Sequence, residues 1–117
     1  MSARVEHTSK LVLSAPTDRL LIESVGGYPA RLQSCVLAAW LRGGWRLARR
    51  HTVAVPIPPP SPPVELPPAR LTRRVRFDDP SDPALAGFLR SLPRKERGRE
   101  IRHFISVALR SRARREP

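Results

Sequence analysis

Apolar and polar positions along this chain repeat with two different periods. Leu71 to Phe77 (LTRRVRF) alternates, placing Leu71, Arg73, Val75 and Phe77 on one side and Thr72, Arg74 and Arg76 on the other. A repeat of two predicts a short strand with one mostly apolar and one strongly polar face. The period then changes. Asp82 stands as an N-cap with Pro83 at the first helical position, and Leu85, Phe88, Leu89 and Leu92 follow at the spacing of an amphipathic helix of about three turns, closed by Pro93. Beyond the basic turn Arg94-Lys95-Glu96-Arg97, a second helical run sets Ile101, Phe104, Ile105, Ala108 and Leu109 on one face. The predicted order is strand, helix, helix.

A similar order is visible earlier in the chain. Lys10 to Ser14 (KLVLS) reads as a strand, Asp18 caps the apolar run Leu20 to Val25, and after Gly26-Gly27 a helix opens at Pro29. Its expected apolar face is Leu32, Cys35, Val36, Ala39 and Trp40, which matches the later face at an offset of 69 residues, with Gly43-Gly44 as its terminator. A lone strand with two short helices leaves backbone edges unpaired and buries too little apolar area to offset its ordering entropy. The basic strand therefore needs a second strand, from another copy of the chain or from this earlier passage.

Composition divides the chain between these passages. Eight of the 14 prolines fall within Pro56 to Pro68 (PIPPPSPPVELPP), a polyproline spacer of roughly 3.1 Å per residue that also offers PxxP registers to a docking partner. The expected organisation is residues 1–55 as a degenerate strand-helix-helix unit, 56–68 as a Pro-rich linker and 69–117 as a basic unit. The fold class is mainly α with short β-strands.

Charge sharpens the picture. The chain has 117 residues, too few for a large multi-domain enzyme, and carries 22 Lys+Arg against 10 Asp+Glu, a net charge of +12 suited to polyanions. All but Lys10 and Lys95 of those basic residues are arginines, the side chain suited to bidentate phosphate and guanine contacts. Residues 1–55 hold a net +5 and residues 69–117 a net +8. The single cysteine, Cys35, excludes an internal disulfide framework. His7, His51 and His103 lie far apart with no carboxylate at metal-ligand spacing, and no nucleophile elbow or phosphate-binding glycine loop is present. No catalysis, metal or cofactor is expected. The polar start, Met1 to Lys10, shows no secretory pattern and no apolar stretch is long enough to span a membrane, so a cytoplasmic location is expected.

The stretch Arg70 to Ser111, RLTRRVRFDDPSDPALAGFLRSLPRKERGREIRHFISVALRS, resembles the ribbon-helix-helix DNA-binding family of Arc-type and MetJ-type repressors. Its segment SLPRKERGREIRHFISVAL looks most like plasmid partition adaptors. The resemblance implies a small transcriptional repressor or plasmid-maintenance adaptor whose paired strands enter the major groove of double-stranded DNA, with Thr72, Arg74 and Arg76 reading bases. It further implies that the start of the last helix, Arg94, Lys95, Arg97, Gly98 and Arg99, anchors phosphate. The strands would pair in a homodimer, or within one chain as a tandem pseudo-dimer. In the latter case Lys10, Val12 and Ser14 would face outward beside them and make the ribbon asymmetric. The rival reading is a basic accessory module that binds a protein partner through residues 28–50. A third is nonspecific binding of RNA or a membrane surface by Trp40 and Trp45 with Arg42, Arg46, Arg49 and Arg50, against which stands core packing of the tryptophans beneath a basic rim.

Overall fold

The computed structural model describes residues 7–49 and 68–115. All of the Pro-rich segment except Pro68 lies outside the described residues, as does Arg50. The element order is β1 (Thr8–Ser14), α1 (Arg19–Gly26), α2 (Ala30–Ala48), β2 (Arg70–Arg76), α3 (Pro83–Arg90) and α4 (Arg94–Arg115). The protein is mainly helical, with four helices and one two-stranded antiparallel sheet.

The second strand comes from within the chain. β1 pairs with β2 from Thr8 opposite Arg76 to Ser14 opposite Arg70, with Leu11 opposite Arg73 at the middle. The ladder continues one step at each end, where the Phe77 N–H donates to the His7 carbonyl (2.9 Å) and the Ala15 N–H to the Ala69 carbonyl (2.8 Å). Alternation then does what the sequence pattern demands: Leu11, Leu13, Leu71, Val75 and Phe77 face inward and are buried. The strands cover the helices in exchanged order. β1 packs on α4 and β2 on α2, while α2 and α4 pack extensively on each other. A single core results, in which Trp40 and Leu37 of α2 join Ile101 and Ile105 of α4. Trp45, Phe88 and Phe104 tie α2, α3 and α4 together, with Trp45 5.5 Å from Phe88 and 5.4 Å from Phe104 between ring centroids, the separations favoured by aromatic pairs.

Three expectations change. The expected face of α2 is rotated: Leu32 and Cys35 are exposed, whereas Val36, Leu37, Trp40, Leu41 and Trp45 are buried. α2 is apolar over much of its circumference, so spacing alone allowed more than one stripe. The structural correspondence between the passages is accordingly an offset of 64, which relates Asp18 to Asp82, Pro29 to Pro93, Leu37 to Ile101, Trp40 to Phe104 and Leu41 to Ile105. Second, Gly43-Gly44 does not terminate a helix, for α2 continues to Ala48. A Cβ on Gly44 would lie 1.7 Å from the Phe104 carbonyl oxygen, so this glycine lets the backbones of α2 and α4 approach. Third, α3 stops at Arg90, leaving Leu92 beyond its end but still packed against the core.

The glycines provide a test. Gly44→Ala forces α2 and α4 apart and is expected to lower stability by about 1–3 kcal/mol. Gly87→Ala, at a helical position with nothing within 4 Å of the added carbon, is expected to raise it by about 0.5–1 kcal/mol. Chemical denaturation of the two variants checks both signs.

Candidate nucleic-acid interface

The outward face of the ribbon consists of Thr8, Lys10, Val12 and Ser14 from β1 and Arg70, Thr72, Arg74 and Arg76 from β2. Strand alternation puts them on the side opposite the core, and Lys10, Ser14, Arg70, Thr72, Arg74 and Arg76 are exposed. Four cations and no carboxylate occupy this face. Lys10 stands directly opposite Arg74, and like charges in such cross-strand pairs destabilise a sheet. Arg74 also reaches diagonally, its Nη1 3.4 Å from the Thr8 hydroxyl. Arg76 Nε donates to Asp78 Oδ1 at 2.5 Å, and His7 Nδ1 lies 2.5 Å from Asp78 Oδ2. The Arg76 hydrogen bond holds the Asp78 carboxyl below the ordinary aspartate range.

Thr72, Arg74 and Arg76 are thus brought together on one surface, as their parity suggested. Arg70 belongs with them. It shares that parity, but it precedes the first apolar residue of the alternating run and so fell outside the expected strand. Arg73 lies on the inner side, half-buried, where its Nε donates to Gln33 Oε1 (3.0 Å) and its Nη1 to the Thr72 carbonyl (2.8 Å).

The first turns of α2 and α4 are related by the same offset. At α4, Arg94, Lys95 and Arg99 are exposed and Gly98 is half-buried. Arg97 departs from the phosphate-facing expectation: it is buried to 8% exposure, its Nε donates to the carbonyls of Leu89 (2.8 Å) and Leu92 (3.2 Å), and its Nη2 donates to that of Arg90 (3.2 Å). It closes the C-terminus of α3, because the turn at Leu92-Pro93 folds α4 back against the α3 carbonyls. The matching residue in α2, Gln33, does the same work, donating from Nε2 to the Tyr28 carbonyl at 2.9 Å. Helical periodicity carries no signal for such a cap. The matching cation to Lys95 is Arg31, exposed at the start of α2.

A second charged cluster joins α2 to the β2–α3 loop. Asp82 sits at the N-cap position of α3 but makes no side-chain cap bond. Its carboxylate instead accepts from Arg46 Nε (2.7 Å) and Arg42 Nε (3.0 Å) of α2. Arg42 Nη1 also approaches Asp79 at 3.3 Å, and Asp79 accepts a short hydrogen bond from the Ser81 hydroxyl. Burial pushes the Asp82 carboxyl up, but the hydrogen bonds from Arg46 and Arg42 outweigh it and the group lies below its ordinary range. Ser81 bonds hold Asp79 low as well. The cluster thus fastens the β2–α3 loop to α2, and two of the arginines of the basic α2 rim serve it. Trp40 and Trp45 lie inside, with Arg49 stacked 4.3 Å over the Trp45 ring. They are core residues with a basic rim, and no aromatic face is presented there to RNA or lipid.

Among the described residues no group of His, Cys, Asp or Glu has a metal-binding arrangement, and no helix is long and apolar enough to cross a membrane. Comparisons of the chain with protein-family models, with curated proteins and with solved structures found no match.

The aspartates make acid stability measurable. Carboxyls whose folded pKa lies below the unfolded value of about 3.9 contribute stability that is fully present above that pH and is lost as pH falls through the folded value. Thermal stability is therefore expected to lose this contribution below about pH 4. Asp82→Asn should lower stability at pH 7 by on the order of 2 kcal/mol and reduce the acid-induced fall, as followed by circular dichroism.

Proposed function

We propose that this chain binds DNA sequence-specifically by inserting its β1–β2 ribbon into the major groove, as a small transcriptional repressor or a plasmid-maintenance or partition adaptor. The architecture on this reading is a ribbon-helix-helix unit completed within one chain, a tandem pseudo-dimer in which the exchanged strands replace those of two subunits. The observation that carries it is the outward face of the ribbon: Lys10 opposite Arg74, flanked by Arg70 and Arg76, with no acid among the eight positions. That arrangement costs the free protein stability, and a polyanion lying across it offsets the repulsion. A two-stranded ribbon fits a groove about 12 Å wide, and the guanidinium groups of Arg74 and Arg76 suit the O6 and N7 acceptors of guanine, while Thr72 accepts or donates to a base edge. The exposed cations Arg94, Lys95 and Arg99, with the Gly98 backbone, form the phosphate-anchoring end of α4; Arg31 is the corresponding cation of α2. Arg97 is left to its structural cap.

The protein-interaction reading finds only Leu20 and Leu32 as large exposed hydrophobics among the described residues; exposed leucines of this kind are ordinary on a soluble surface. No RNA- or lipid-binding role follows from the buried tryptophans.

Replacing Arg74 and Arg76 together by alanine is expected to abolish sequence-selective retardation of duplex fragments while leaving the circular dichroism spectrum unchanged; retained selectivity would refute the ribbon reading. Lys10→Thr separates function from folding. It removes the like-charge pair and adds a strand-favouring side chain, so it should raise stability by about 0.2–1 kcal/mol while weakening DNA binding. A surface with no anionic partner would show only the first effect.

A further inference from the structure

The outward face has a direction, and its chemistry follows from the register. The middle of the ladder is Leu11 opposite Arg73. The offset of 64 that relates the helices of the two passages places their exchange axis at the neighbouring pair, Lys10 opposite Arg74, and relates Thr8 to Thr72 and Val12 to Arg76. Thr8 and Thr72 are alike and Lys10 and Arg74 are both cations, so the inequality lies in Val12 against Arg76. On one side of the central Lys10–Arg74 row the ribbon presents Thr8 and Arg76; on the other it presents Val12 and Thr72, with Ser14 and Arg70 at its limit.

The support behind each end differs as well. At the Arg76 end, Asp78 accepts from Arg76 Nε. One of the five guanidinium donors is thereby used to orient the group, and the terminal amino groups retain the fork that matches guanine O6 and N7. The position matching Asp78 at the opposite end is Ser14, and the carboxylate there, Asp18, accepts from the Ser14 backbone N–H at 2.9 Å. At that end, the Val12 side chain and the Thr72 methyl suit the C5-methyl group of thymine. Four outward rows spaced by two residues span about 20 Å, at most about six base-pair steps of 3.4 Å.

We propose that one chain reads a non-palindromic duplex site of about six base pairs, with guanine at the end facing Arg76 and A·T pairs at the end facing Val12 and Thr72. Asp78 is a positioning residue that orients Arg76 for its guanine. The proposal rests on the DNA-binding reading above and specifies the sequence class that the ribbon takes.

The test is selection of bound fragments from a random-sequence duplex pool by the full chain, repeated with Val12→Arg, which makes the unequal pair alike and leaves Lys10 opposite Arg74 on the exchange axis. The wild type should enrich a motif without two-fold symmetry, guanine-bearing at one end and A·T-bearing at the other. The Val12→Arg variant should enrich a palindrome with guanine at both ends. A palindromic wild-type motif overturns the directional proposal but leaves DNA recognition standing, whereas enrichment of no motif overturns both. Asp78→Asn supplies an independent readout should Val12→Arg fail to fold. It should reduce discrimination for guanine at one base pair about tenfold and leave the A·T end unaltered. Equal loss across the whole site would make Asp78 merely structural.

Discussion

Pairing of β1 with β2 is the constraint from which the remaining structure follows, because among the described residues neither strand has another partner and each lies on a helix supplied by the opposite passage. A seven-residue strand with open edges gains little alone. Once the ladder closes through Leu11 and Arg73, β1 must cover α4 and β2 must cover α2. The helices are thereby pressed together, and Gly44 is required where the α2 backbone meets the Phe104 carbonyl. Folding of one passage is therefore coupled to folding of the other through a shared core.

The same closure sorts the charges. Inward arginines are satisfied by neutral acceptors: Arg73 by Gln33 and the Thr72 carbonyl, Arg97 by carbonyls at the end of α3. Arg42 and Arg46 meet Asp82 at the seam between α2 and the β2–α3 loop. What remains on the outward ribbon is a set of cations, one of which, Arg76, engages Asp78 just beyond the strand. A basic chain thus uses a share of its arginines as internal fasteners and leaves a compact, directional group on one face. Net charge by itself does not distinguish the two uses.

Legibility in the sequence varied with the narrowness of the apolar stripe. Leu71 to Phe77 alternates with a strongly charged opposite face, so its parity was unambiguous and Thr72, Arg74 and Arg76 were assigned to one side. Ile101, Phe104, Ile105, Ala108 and Leu109 have Arg99, Arg102, His103, Ser106 and Arg110 around them and are all buried. In α2, by contrast, Leu32, Val36, Leu37, Ala38, Ala39, Trp40 and Leu41 crowd the circumference, and the chosen stripe put Leu32 and Cys35 inside when both are exposed. Gly44 read as punctuation because glycine ends helices far more often than it permits a close crossing. The side chain of Asp82 was assigned to a helix N-terminus nearby in sequence, yet it is held by arginines about forty positions away in the chain.

By itself the sequence determined the elements, the polar face of the second strand and the excess of arginine, because these depend on local periodicity and composition. Tertiary structure decided which strand completes the ribbon, which face of α2 turns inward, and which arginines are fasteners rather than surface charges. Those outcomes depend on register and on long-range partners. A one-residue change in register would exchange the inner and outer faces of a strand, and only the closed ladder sets Lys10 across from Arg74.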